Sequence, residues 1–222
     1  AFPNTYLGKL RPMGQFDNLD SVKKEVALMM DPNGDPFAAP AGDAPPPGKF
    51  GASDVMDLSQ VQLLNAYTCT ECGRCTSECP ANQTGKKLSP RKIMMDTRDR
   101  LEEVGRQMDL SGGKWEPDGK QLLDDYISRE ELWACTMCNA CAQECPININ
   151  HPSLIVDMRR YLVMEESAGP GELNAIFSNI ENNGAPWQFS PEDRMLWADG
   201  LDVPLMAEKQ AADETPEYLL WI

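Results

Sequence analysis

The sequence predicts an all-α fold, on three observations. Apolar residues recur at helical spacing in several separate stretches. Outside the last five residues, no stretch shows the strict alternation of a half-buried strand. All eight cysteines fall into two compact clusters that follow helical stretches, rather than being scattered.

The elements follow in chain order. Ser21 to Met30 reads as a short helix, with Val22, Val26 and Met29 on one face. Residues 31–50 are dense in proline and glycine, which neither a helix interior nor a central strand tolerates, so a strap is expected there. Asp54 to Tyr67 reads as a helix with Val55, Leu58, Val61, Leu63 and Leu64 as its apolar stripe. Ser89-Pro90 is a helix start, serine capping and proline at the first helical position, and that helix is expected to reach about Val104. Gly112-Gly113 and Pro117-Asp118-Gly119 mark a loop. Leu122 to Trp133 is read as one helix, and another runs from Pro152 to about Glu166. Gly169-Pro170-Gly171 breaks the chain before a short helix over Glu172 to Ile180, and the tail from Asn182 reads as irregular. The expected organisation is an arm and strap over 1–50, a helical domain over 51–165 and an extension over 166–222.

Both cysteine clusters have one spacing. Cys69, Cys72, Cys75 and Cys79 follow C-x2-C-x2-C-x3-C, with Pro80 next, and Cys135, Cys138, Cys141 and Cys145 repeat it before Pro146. This is the ferredoxin spacing for 4Fe–4S cubes. A cysteine every third residue wraps three thiolates around three corners of a cube, and the fourth, starting the next element, reaches the other cube. Cys69, Cys72, Cys75 and Cys145 are therefore expected to hold the first cluster. Cys135, Cys138, Cys141 and Cys79 are expected to hold the second. A disulfide framework fits evenly spaced triplets poorly. Zinc sites use paired cysteines, often with histidine, which fits them poorly as well. With every iron ligated, outer-sphere electron transfer is expected rather than Lewis-acid catalysis. Free thiols imply a reducing compartment.

The flanks also repeat: Tyr67-Thr68-Cys69-Thr70 against Trp133-Ala134-Cys135-Thr136, and Glu78-Cys79-Pro80 against Glu144-Cys145-Pro146. Tyr67 and Trp133 are expected to shield the two cubes symmetrically. The long joint between the motifs, with its two expected helices, resembles the α-helical ferredoxin domain of succinate dehydrogenase and heterodisulfide reductase-like iron–sulfur subunits. The stretch from Lys49 to Arg100 and the tail GAPWQFSPEDRMLWADGLDVPLMAE resemble membrane-associated Fe–S oxidoreductases of the heterodisulfide reductase type. That resemblance implies an electron-transfer subunit or fragment in a membrane-associated respiratory complex. It would relay single electrons through two 4Fe–4S clusters, from a soluble flavoprotein or dehydrogenase to a quinone or haem partner. It also implies a place on the cytoplasmic face of the inner membrane. The alternative is the electron-carrying part of a heterodisulfide reductase-like or small-substrate dehydrogenase whose catalytic subunit is elsewhere. The missing initiator methionine and the apolar end at Leu219 to Ile222 suggest a portion of something longer.

Composition narrows the partners. A formal charge of −15 disfavours nucleic acid, which needs a basic face. No apolar run is long enough to span a bilayer, and no signal peptide is visible. No dinucleotide or P-loop glycine motif occurs, and no residue set reads as a catalytic site. His151, the one histidine, reads as a turn or helix-start residue rather than a ligand. Residues 81–100 carry Lys86, Lys87, Arg91, Lys92, Arg98 and Arg100 against Asp96 and Asp99. This is either a solvated face or a basic collar that would stabilise the reduced first cluster and steer an acidic partner. Met94, Met95, Met137 and Met158 read as packing residues.

Overall fold

The computed structural model describes residues 49–220, together with Lys23, Lys24, Val26, Ala27, Met30 and Asp31. The five described residues between Lys23 and Met30 are helical, as expected there; the remainder of that helix and nearly all of the strap lie outside the described residues. The described chain is helical and has no strand, only an isolated bridge between Leu123 and Ile127. It divides into two units, 1–168 and 169–222.

The first unit begins with two helix starts in succession. Asp54 caps a 3-10 turn over Val55–Asp57 with Asp57 reaching back, and Ser59 caps helix α1 (Gln60–Thr68) with Gln62 reaching back. Leu58, extended between them, interrupts what reads as one helix. The buried face of α1 is also not the apolar stripe: Val61 is exposed, while Gln62, Asn65 and Ala66 are buried. Gln62 is tolerated there because its amide is satisfied, donating to Asp157 Oδ2 at 2.5 Å and accepting from Ser59.

Two one-turn helices follow, α2 (Arg74–Ser77) and α3 (Pro80–Gln83), and then the long helix α4 (Pro90–Leu110). Ser89 accepts from the Lys92 N–H, and Pro90 sits at the first helical position. Pro90, Ile93, Met94, Thr97, Arg100 and Val104 are buried at helical spacing, so this face forms the floor of the core. Gly112 and Gly113, both at positive φ, close the helix about two turns later than expected.

The stretch read as one helix over Leu122 to Trp133 is two, α5 (Leu122–Asp125) and α6 (Arg129–Trp133). Leu123 is extended and Asp124 left-handed, with the Leu123 N–H donating to the Ser53 carbonyl. Leu122, Leu123, Ile127 and Leu132 are all fully buried, so the break lets both faces of this segment enter the core. After one-turn helix α7 (Ala140–Gln143), helix α8 (His151–Arg160) continues into a π turn over Tyr161–Glu165. Met94 and Met158 lie in the core, as packing residues should.

The end of the strap is pinned against α8. Phe50 N–H donates to Glu165 Oε1 and Ala52 N–H to the Asp157 carbonyl. Gly51 crosses between them at φ +76, where an added Cβ would fall on the Asp157 carbonyl oxygen and the Tyr161 backbone nitrogen. Neither backbone atom can move without breaking the helix. Gly51→Ala is therefore expected to cost about 2 kcal/mol or more, read as a lower urea midpoint.

The second unit holds α9 (Gly171–Asn183), a 3-10 segment over Pro191–Ala198 and α10 (Met206–Ala211). Its tail is thus less irregular than expected, and Ser190-Pro191 starts the 3-10 segment by the same chemistry as Ser89-Pro90. Ala198 is its one buried apolar residue among those described. Residues 218–220 are not a strand.

Candidate metal centre

Each cysteine motif is a loop that turns twice through the left-handed region before a one-turn helix. Glu71 (φ 56) and Gly73 (φ 81) do this in the first loop, Met137 (φ 57) and Asn139 (φ 62) in the second. The positions correspond: two residues after the first cysteine, one after the second. Such turns curl the chain around a centre, so that successive thiols face inward. The third cysteines, Cys75 and Cys141, are buried on α2 and α7, which pack together. The second cysteines, Cys72 and Cys138, are exposed.

Cys69, Cys72 and Cys75 line a hollow of about 270 Å³, counting its open mouth, and Cys145 from the second motif lines it too. Thr70, Gly73, Arg91, Ile147, Ile149 and His151 complete the wall. Around the second loop, the thiols that bear electrostatically on Cys135 are Cys79 and Cys138, and those bearing on Cys141 include Cys135, Cys138 and Cys75. Cys75 and Cys141 thus stand where the two thiol groups meet.

Burial pushes the thiols of Cys69, Cys75 and Cys135 up, and Cys141 up to about 12. Four thiolates in so apolar a space need cationic compensation of their own. Backbone N–H groups already aim at sulfur: Met137 donates to Cys135 Sγ and Ile149 to Cys145 Sγ, each at 3.4 Å. Among the described residues, no three histidine, cysteine or acidic side chains converge tightly enough for a single metal ion. The thiols ring a space, as a polynuclear cluster requires, and the donor set is all sulfur.

Two features of the surroundings differ from the sequence reading. The basic run, read as either a solvated face or a collar, is mostly paired within the chain. Arg100 is fully buried with Asp54 and Asp118, and Lys92 is paired with Asp96 and Glu131. Lys87 is paired with Glu130 and Arg98 with Glu71, which leaves Lys86 and Arg91 without an ion pair among the described residues. Only Arg91 reaches the hollow. A local charge count cannot see these partners, because most lie far away in sequence. The symmetric aromatic shield fails as well. Tyr67 is 60% exposed, whereas Trp133 is half-buried beneath the Arg159 guanidinium, 4.8 Å from its ring centroid. Arg159 also donates to the Leu132 and Cys135 carbonyls, fixing the entry to the second loop.

His151 does begin α8, as the sequence suggests. What the sequence does not suggest is that its ring is buried and stands in the wall of the first hollow. The available signal was its position, six residues past a ligand-type cysteine, on a segment that the Ile149 N–H···S contact holds against Cys145.

Comparison with known proteins agrees with this geometry. The 4Fe–4S dicluster domain family matches residues 68–149. The iron–sulfur-binding oxidoreductase FadF of Bacillus subtilis is 34% identical, over 78% of this chain and 29% of that protein. A membrane-anchored ferredoxin of Chromohalobacter salexigens is 36% identical, over 81% of this chain and 28% of that one. The EtfAB:quinone oxidoreductase of Syntrophomonas wolfei is 34% identical, over 78% and 27%. Heterodisulfide reductase subunits C and D match too. The chain spans less than a third of the length of each of the first three relatives. These matches bear out the expected resemblance, and the eight cysteines are the complement for two 4Fe–4S clusters.

Proposed function

We propose that this chain, whose residues 68–149 are a 4Fe–4S dicluster domain, is the electron-relay portion of a membrane-associated oxidoreductase. In this reading Cys69, Cys72, Cys75 and Cys145 hold the first cluster. Cys135, Cys138, Cys141 and Cys79 hold the second. The domain runs over about 51–165, with the arm and the C-terminal extension outside it.

The observation that supports a relay most is the order of exposure. Cys72 is exposed, Cys75 and Cys141 are buried where the two loops meet, and Cys138 is exposed again. One solvent edge per cluster suits exchange with a partner, and a buried junction suits exchange between clusters. When bound, the cubes supply one-electron steps without making or breaking substrate bonds. The chain's own residues hold the thiolates in place, donate N–H groups to sulfur and exclude water from the junction.

The relatives named EtfAB:quinone oxidoreductase and membrane-anchored ferredoxin support a soluble flavoprotein or dehydrogenase on one side. They support a quinone or haem partner in the membrane on the other. No helix among the described residues is long and apolar enough to cross a membrane. In this reading the chain works at the cytoplasmic face of the inner membrane. The matches to heterodisulfide reductase subunits favour a second reading, the electron-carrying part of an enzyme whose catalytic subunit is another chain. The chains that co-purify with this protein separate the two.

An EPR-monitored redox titration of the cluster-loaded chain tests the relay itself. Two reversible one-electron reductions are expected. Clusters that resist reversible reduction would give them a purely structural role.

A further inference from the structure

His151 is 1% exposed, lines the first hollow beside Cys69, Cys72, Cys75 and Cys145, and its Nδ1 has no hydrogen-bond partner. A ring nitrogen buried without a partner loses its hydration and gains nothing in return. His151 shares the wall with the thiols, Thr70, Arg91, Ile147 and Ile149, none of which bonds its Nδ1, so its partner is to be sought in the hollow. An imidazole carries at least one ring N–H donor in either protonation state. Sulfur in a thiolate-ligated cube can only accept. A hydrogen bond to sulfur withdraws electron density from the cluster and favours its reduced form.

The second half of the motif pair has no counterpart. The sixth residue after Cys145 is His151, and the sixth after Cys79 is Gly85, exposed at φ +80. The pseudo-symmetric loops thus differ by one buried donor.

We propose that the His151 imidazole donates a ring N–H to a sulfur of the cluster held by Cys69, Cys72, Cys75 and Cys145, raising the reduction potential of that cluster alone. His151 is a positioning and tuning residue, not a ligand. The inference rests on the two-cluster relay reading.

The test is the EPR-monitored titration of the loaded chain. The wave that Cys72→Ser displaces or abolishes belongs to the first cluster. His151→Leu keeps the volume and removes the donor; His151→Gln keeps a donor. The expected result is a lower first-cluster midpoint in His151→Leu, recovery in His151→Gln, and no movement of the second wave in either. An unmoved first wave in His151→Leu would overturn the proposal. So would equal shifts of both waves, or loss of the first cluster from both variants, either of which marks a packing role. Failure of the relay reading is visible earlier, as the absence of two reversible waves in the unsubstituted chain.

Discussion

Cys145→Ser is expected to strip the first cluster from the loaded chain and leave the second. The hollow that contains Cys69, Cys72 and Cys75 also contains Cys145, which lies 70 or more residues later in the sequence. Some of the thiol repulsions run across the motifs in the same sense: Cys145 raises Cys69 and Cys75, and Cys79 raises Cys135, while Cys75 raises Cys141 at the junction. A serine oxygen is a poor substitute for a thiolate on iron, so one substitution should cost one cube and about half the bound iron. Single variants alone cannot assign the ligand, because a distorted neighbour can also fail. Pairs of substitutions can. If Cys145 and Cys72 serve one cluster, Cys145→Ser with Cys72→Ser loses no more iron than either alone. Cys145→Ser with Cys138→Ser should then lose both clusters. The reverse pattern would show that each motif closes on its own cube. Cys79→Ser should mirror this, pairing with Cys138→Ser. Iron content and the EPR spectrum of each reduced variant decide between them.

That the eight cysteines form two cluster-binding motifs was legible in the sequence because it is written in local spacing. So was α4, whose start needs only Ser89 and Pro90 and whose buried face repeats every turn. Where the sequence misled, a distant residue had set the local outcome. Leu122 to Trp133 has the composition of one helix, yet the Leu123 N–H is taken by the Ser53 carbonyl, and Ser128 with Glu131 caps a fresh start. The basic run around residue 90 reads as a solvated face or a collar only while its partners are unknown. Gln62 lies off the apolar stripe of its helix, and only Asp157, 95 residues on, accounts for its burial. His151 belongs to the same class: a lone histidine at a helix start carries no sign that a wall of thiols faces it.

Arg100→Met is expected to destabilise the loaded chain by about 3–5 kcal/mol, out of a total that for most domains is about 5–15 kcal/mol. Arg100 has no exposed side-chain surface. Its guanidinium grips two carboxylates, each through two hydrogen bonds. It donates to Asp54 at 3.0 and 2.8 Å, and to Asp118 at 2.6 and 2.9 Å. It also donates to the Lys120 carbonyl at 2.8 Å and lies over the Trp115 ring. Through these contacts one side chain ties the first 3-10 turn, the long helix and the loop after it. Asp54 is itself committed twice more, capping the 3-10 turn at Val55 and accepting from the Leu122 N–H. Methionine fills much of the space but leaves Asp54 and Asp118 facing one another without a cation. Asp118, whose carboxyl Arg100 holds down to about 2, then has no reason to stay in place. Lysine should rescue only part of the loss, since a point charge cannot hold two carboxylates in two-pronged pairs at once. The exposed pair Lys87–Glu130 is the contrast, and Lys87→Ala should leave the urea midpoint nearly where it was. Unfolding followed by both helical circular dichroism and cluster absorbance would show whether Arg100→Met loosens the fold before the cubes are lost. If its midpoint matched that of Lys87→Ala, the buried network would be a passenger. The core of Ile93, Met94, Val104 and Leu122 would then hold the loops by packing alone.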